Sequence, residues 1–195
     1  MRRTLIAGPL LTILAVLAVL AVPATPAAAA ELAGVTVPDG ATIGEQKLVL
    51  NGLGLRKKLF IKIYVGALYL PAKESSADKI LAADAARRLT MSFLYGVSSN
   101  QMCDAWNEGL EANTPNPSAE VVAAFKTLCT AMEDIPKGNL LALNYTPGTG
   151  TAVEVNGKAK VTIAGKAASD AILRTWIGPD PAPGEDFKKA VLGAQ

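Results

Sequence analysis

An arginine and a tyrosine stand close together in one stretch of this chain and could grip an anion between them. Arg56 opens an Arg-Lys-Lys run, and Tyr64 follows inside a segment, Leu59 to Leu70, whose only charge is Lys62. A guanidinium presents a planar fork of donors that matches a carboxylate, and a phenol adds one more donor. The same residues have a plainer reading, a solvated basic loop followed by a core tyrosine. Other chemistry is closed off by composition. With no histidine and two cysteines, the chain has no Ser-His-Asp or Cys-His nucleophile, no imidazole metal site and no structural zinc site built from cysteine alone. Any general acid or base would be a carboxylate, a lysine, a tyrosine or water. No metal or cofactor is expected.

The element that must position this pair is the apolar segment itself. It is rich in β-branched and aromatic residues and ends at Pro71, which reads as a long strand buried on much of both faces. Leu59, Ile61, Ile63, Val65 and Ala67 would point to one side, and Phe60, Lys62, Tyr64 and Gly66 to the other. Gly52 and Gly54 are expected to make a turn that leaves Arg56 at the mouth of this strand.

Residues 1–30 read as a secretory leader. Arg2 and Arg3 precede an apolar run from Leu5 to Val22, and Ala28-Ala29-Ala30 fits a cleavage site before Glu31. An uncleaved anchor is the alternative. The two arginines are the only charges of the leader, so removing them from the 19 cations leaves seventeen against 17 anions. A neutral mature domain, residues 31–195, gives no electrostatic case for nucleic acid or an anionic membrane as partner. It is long enough to bury a core as one domain.

The remaining elements follow from caps and turns. Gly34 to Pro38 and Lys47 to Leu50 read as short strands, and Ser75 or Ser76 caps a helix running through the alanines to Arg88. Leu89 to Tyr95 alternates as a half-buried strand. Ser98 and Gln101 form a capping box that opens a helix to Asn113, with Met102, Trp106 and Leu110 on its inner face. After the break at residues 114–117, Ser118 caps a second helix to Glu133. Cys103 and Cys129 lie at similar distances from the shared turn, so antiparallel packing brings them level. In an exported chain they would form a disulfide, two buried thiols being the alternative. Asn139 to Thr146, Thr151 to Val155 and Lys158 to Ile163 read as strands, the last two joined by Asn156-Gly157. Ala168 to Ile177 and Asp186 to Leu192 read as helices. The pattern is α+β with an antiparallel sheet.

In their order and spacing these motifs resemble the chalcone isomerase superfamily, most closely its bacterial chalcone isomerase-like branch. The resemblance is carried by G-L-G-L-R before F-I-K-I-Y-V-G-A-L-Y-L, the helix pair, Y-T-P-G-T-G-T with N-G, and A-I-L-R-T-W-I-G, from Gly34 to Gly193. It implies an open-faced β-sandwich, a large antiparallel sheet layered with helices around a cleft. Of the residues that plant isomerases use, Arg56 matches the phenolate-stabilising arginine and Thr175 the threonine near the last long helix's end. Tyr64 replaces a strand threonine, Met102 a helix tyrosine, and Gly109 an asparagine. Cyclising a chalcone needs polar groups to hold the developing charge, and methionine and glycine supply none. The resemblance therefore leans towards a non-catalytic, periplasmic or secreted protein that binds a fatty acid or similar apolar carboxylate. Fatty-acid-binding members similarly pair arginine with tyrosine. Arg56 and Tyr64 would take the head, and Thr175, Met102 and Trp106 would line the tail. The alternatives are an intramolecular lyase acting through Arg56, and a structural or partner-binding domain without ligand.

Overall fold

The computed structural model describes residues 29–193, so the leader up to residue 28 lies outside the described residues. A short hairpin comes first, β1 (Ala29–Leu32) with β2 (Val35–Pro38). Cleavage before Glu31 would leave this hairpin the pairs Glu31–Thr36 and Leu32–Val35. Seven strands then form one antiparallel meander in chain order: β3 (Gly40–Ile43), β4 (Gln46–Lys58), β5 (Ile61–Leu70), β6 (Arg87–Phe93), β7 (Leu140–Thr146), β8 (Gly150–Val155) and β9 (Lys158–Ile163). Helix α1 (Ala77–Ala82) links β5 to β6, α2 (Ser99–Asn113) and α3 (Ala119–Ala131) link β6 to β7, and α4 (Lys166–Ile177) and α5 (Glu185–Val191) follow β9. This is the α+β architecture expected from the order of the motifs.

Both faces of the sheet are covered, which explains the continuous apolar run of β5. On one face Leu68, Leu89, Met91, Leu141, Leu143 and Val153 pack with Trp106, Phe125, Leu128 and Trp176 of the helices. On the other, Leu48, Leu50, Val65, Ala67 and Tyr69 meet the β1–β2 hairpin, whose Val37 is buried with them. Tyr69 closes that layer by donating its hydroxyl to the Pro38 carbonyl at 3.0 Å.

Local signals hold at the helix starts and the last hairpin. Ser98 accepts from the Gln101 amide and the Gln101 side chain accepts from the Ser98 amide, a complete capping box. Ser118 accepts from the Val121 amide. Asn156 and Gly157 both have positive φ, +51° and +75°, as the turn that matches strand twist requires. Cys103 and Cys129 are bonded, clasping α2 to α3.

Two local readings are corrected. Gly52 and Gly54 make no turn; they lie inside β4, which continues unbroken except for bulges. A Cβ on Gly52 would sit 2.1 Å from the Ala190 carbonyl oxygen, and one on Gly54 would sit 2.6 Å from the Phe187 ring. These glycines make room for α5 rather than bend the chain. The alanine-rich helix also stops early, at Ala82, and β6 begins at Arg87. Tertiary contacts override alanine's helix preference there. Asp84 accepts from the Tyr145 hydroxyl at 2.5 Å, Ala86 is buried under the first hairpin, and Arg87 is drawn into the core.

Candidate functional site

A two-residue turn at Leu59-Phe60 folds β4 back on β5 and makes Arg56 the direct cross-strand partner of Tyr64. Residues paired in this way project from the same face of a sheet, here the face that meets the helices. Tyr64 is buried among aromatic rings: Phe93 at 5.6 Å, Phe187 at 5.9 Å edge-on, and Trp176 stacked at 6.1 Å between centroids. Gly66, two residues on, leaves the space Phe187 needs, for a Cβ there would lie 2.5 Å from that ring.

Beside this pair lies a cavity of about 530 Å³, between the hairpin end of the sheet, α2 and α4. The volume falls in the range of about 300–1,000 Å³ usual for small-molecule sites. All five residues expected at a ligand site line it: Arg56, Tyr64, Met102, Trp106 and Thr175. Sequence reasoning missed Ile63, Met91, Phe93 and Trp176, which complete its apolar wall. Alternation had placed Met91 and Phe93 on the core side of β6, and no local signal marks which part of a core stays empty. The mouth carries the exposed residues Lys58, Leu59, Ile61, Tyr95, Asp104 and Glu108.

The polar groups of this wall differ in how far they are already engaged. Arg56 is half-buried, and the ion pairs among the described residues all involve other cations. The Trp106 indole N–H is buried with no partner in the protein, a state that costs free energy until a partner arrives. Thr175 donates its hydroxyl to the Ile172 carbonyl at 2.8 Å, so it has no proton left to offer a ligand. Burial pushes the Tyr64 phenol far above its ordinary range, against the opposing charge of Arg56 and the contact with Trp176. It stays neutral and can donate a hydrogen bond, but it is no base near neutral pH. Met102 adds a thioether to the wall, and a Cβ on Gly109 would meet Thr175 at 2.8 Å.

A second arginine shows what a structural one looks like. Arg87 is fully buried, bonded to Asp170 at 2.6 Å and Ser169 at 2.8 Å, with its guanidinium 4.6 Å above the Tyr145 ring. Its charge is answered within the fold. That of Arg56 faces a hollow.

The family model for chalcone isomerase-like proteins matches residues 29–193. The chain belongs to the chalcone isomerase-like family. Among solved structures it is similar to a fatty-acid binding protein of Arabidopsis thaliana, with a TM-score of 0.67 and 19% identity over 85% of this chain and 96% of that one. At that identity the likeness is one of fold. A comparison with curated protein sequences gives no match.

Proposed function

We propose that this chalcone isomerase-like protein binds a fatty acid or a similar apolar carboxylate without transforming it. The observation that carries the reading is the Arg56–Tyr64 pair, a half-buried cation in no ion pair among the described residues beside a neutral phenol, at the head of an apolar cavity. A carboxylate would take the guanidinium fork and the phenol proton, and its hydrocarbon tail would lie along the cavity wall of Ile63, Met91, Phe93 and Met102. The fold neighbour that is itself a fatty-acid binding protein supports the same reading. A retained lyase activity through Arg56 is less favoured, because Met102 and Gly109 bring no polar group to a developing charge.

Native mass spectrometry of the purified protein tests this. Co-purified or added fatty acid is expected to stay bound, and Arg56→Ala should weaken it about 10- to 100-fold, the worth of a hydrogen bond to a charged group. A protein that carries no fatty acid and gains no thermal stability from it sinks the proposal. Turnover of a chalcone above background, lost in Arg56→Ala, would replace it with the enzymatic reading.

The same proposal has the protein exported. The leader-like pattern before Glu31 and a cysteine pair at bonding distance support this. Sequencing the N-terminus of protein recovered from outside the cytoplasm should read Glu31. An intact Met1 in the cytosolic fraction overturns it.

A further inference from the structure

The tip of the β4–β5 hairpin breaks two rules at once. Its two turn residues are Leu59, 88% exposed, and Phe60, 100% exposed, followed by Ile61 at 46%. Large apolar side chains standing fully in water mark an interaction surface when they cluster. Leu59 also has a φ of +55°, at the first central position of a two-residue hairpin, where glycine is the usual occupant. The sequence thus places an apolar side chain where both solvent and backbone disfavour it. Three exposed lysines, Lys57, Lys58 and Lys62, flank the tip, and none is in an ion pair among the described residues. The acidic groups nearest along the mouth are Asp104 and Glu108, which come from α2.

We propose that this hairpin docks the protein on an anionic lipid surface, Leu59 and Phe60 entering the acyl boundary while the three lysines meet the headgroups. Charge and apolarity are arranged as that surface demands, with the apolar pair at the apex and the cations behind it. The site is continuous with the cavity, since Lys58, Leu59 and Ile61 form part of its rim. A docked protein would hold the mouth against the bilayer, so that an acyl chain could pass between membrane and cavity without crossing water. Docking stands on the exposed tip alone, and this use of it rests on the ligand reading above. The proposal departs from the expectation from net charge, because a neutral total conceals a local cluster of one sign.

Vesicle flotation of the exported protein tests it, with phosphatidylcholine vesicles carrying about a third phosphatidylglycerol against phosphatidylcholine alone. Binding is expected to the anionic vesicles, and to fall roughly tenfold or more in Leu59→Glu/Phe60→Glu and with added salt. Both side chains stand largely in water, so the variant should melt like the parent. Phe60→Trp provides a local readout: its emission should shift to the blue on anionic vesicles, against the buried Trp106 and Trp176. No binding, binding indifferent to the tip, or a tip that instead drives self-association in size-exclusion chromatography overturns the proposal. Arg56→Ala separates the two claims: it should lose fatty acid and still float with vesicles.

Discussion

Arg56 and Leu59 sit three residues apart and illustrate two kinds of unmet demand. Arg56 is in no ion pair among the described residues, a demand that the proposed carboxylate would meet. Leu59 is a backbone strain held in place by whatever the tip does, for a residue other than glycine at φ +55° costs on the order of 1 kcal/mol. Leu59→Gly should therefore raise stability towards chemical denaturation, by up to about 1 kcal/mol, while weakening vesicle binding. A variant that loses stability would mean that Leu59 packs usefully where it stands. Arg56 was legible in the sequence as a residue type in a telling neighbourhood, but its position was not. The glycines before it suggested a turn, because a glycine that bends a chain and a glycine that admits a neighbouring element look alike until Ala190 and Phe187 of α5, far along the chain, are placed against Gly52 and Gly54.

At the scale of elements, whatever rests on short-range chemistry was legible. The Ser98 and Ser118 caps, the Asn156-Gly157 turn and the inward alternation of Leu89, Met91 and Phe93 all act within a few residues and appear as expected. Strand β6 nevertheless ends at Phe93, is covered on both faces, and leaves Tyr95 exposed. Elements set by distant contacts were not. The helix through the alanines yields to Asp84, Ala86 and Arg87, whose partners lie on β7, on α4 and in the first hairpin. The β1 and β3 strands were missed, one because it overlaps the leader pattern and the other because Pro38-Asp39-Gly40 at its start reads as a polar turn. The α2–α3 pair has a consequence for the cavity, since α2 supplies Met102 and Trp106. The disulfide closes a loop of 26 residues, and its chain-entropy contribution is about 3–4 kcal/mol. Reduction, or Cys103→Ser/Cys129→Ser, should lower unfolding stability by roughly that amount. Loss of less than about 1 kcal/mol in a denaturant titration would show that packing alone holds the pair.

Over the whole molecule, three buried phenols set an upper pH limit, and burial raises Tyr69 along with the other two. Burial and the Asp84 bond push Tyr145 up to about 12, and burial pushes Tyr64 higher still. All three folded values are raised above the ordinary tyrosine value of 10.0, so the neutral forms stabilise the fold fully below that pH. This stability is lost as pH rises through the folded values. Unfolding midpoints should hold steady towards pH 10 and fall between 10 and 12, with phenolate absorbance appearing together with unfolding. In a Tyr95→Phe background, which removes the exposed phenol, phenolate that appears before any loss of structure would mean that the buried rings are more open than the packing indicates. Among the described residues no helix is long and apolar enough to cross a membrane.

The fit of Phe187 over Gly54 and Gly66 bears on the order of assembly. The ring completes the aromatic cluster around Tyr64, lying 4.9 Å from Trp176. It comes from α5, whereas the notch it fills belongs to β4 and β5, made more than a hundred residues earlier. During synthesis the early strands must wait with that groove vacant. The phenol that would greet a ligand is seated only when the final helix arrives as keystone, so a half-emerged chain would hold no cargo.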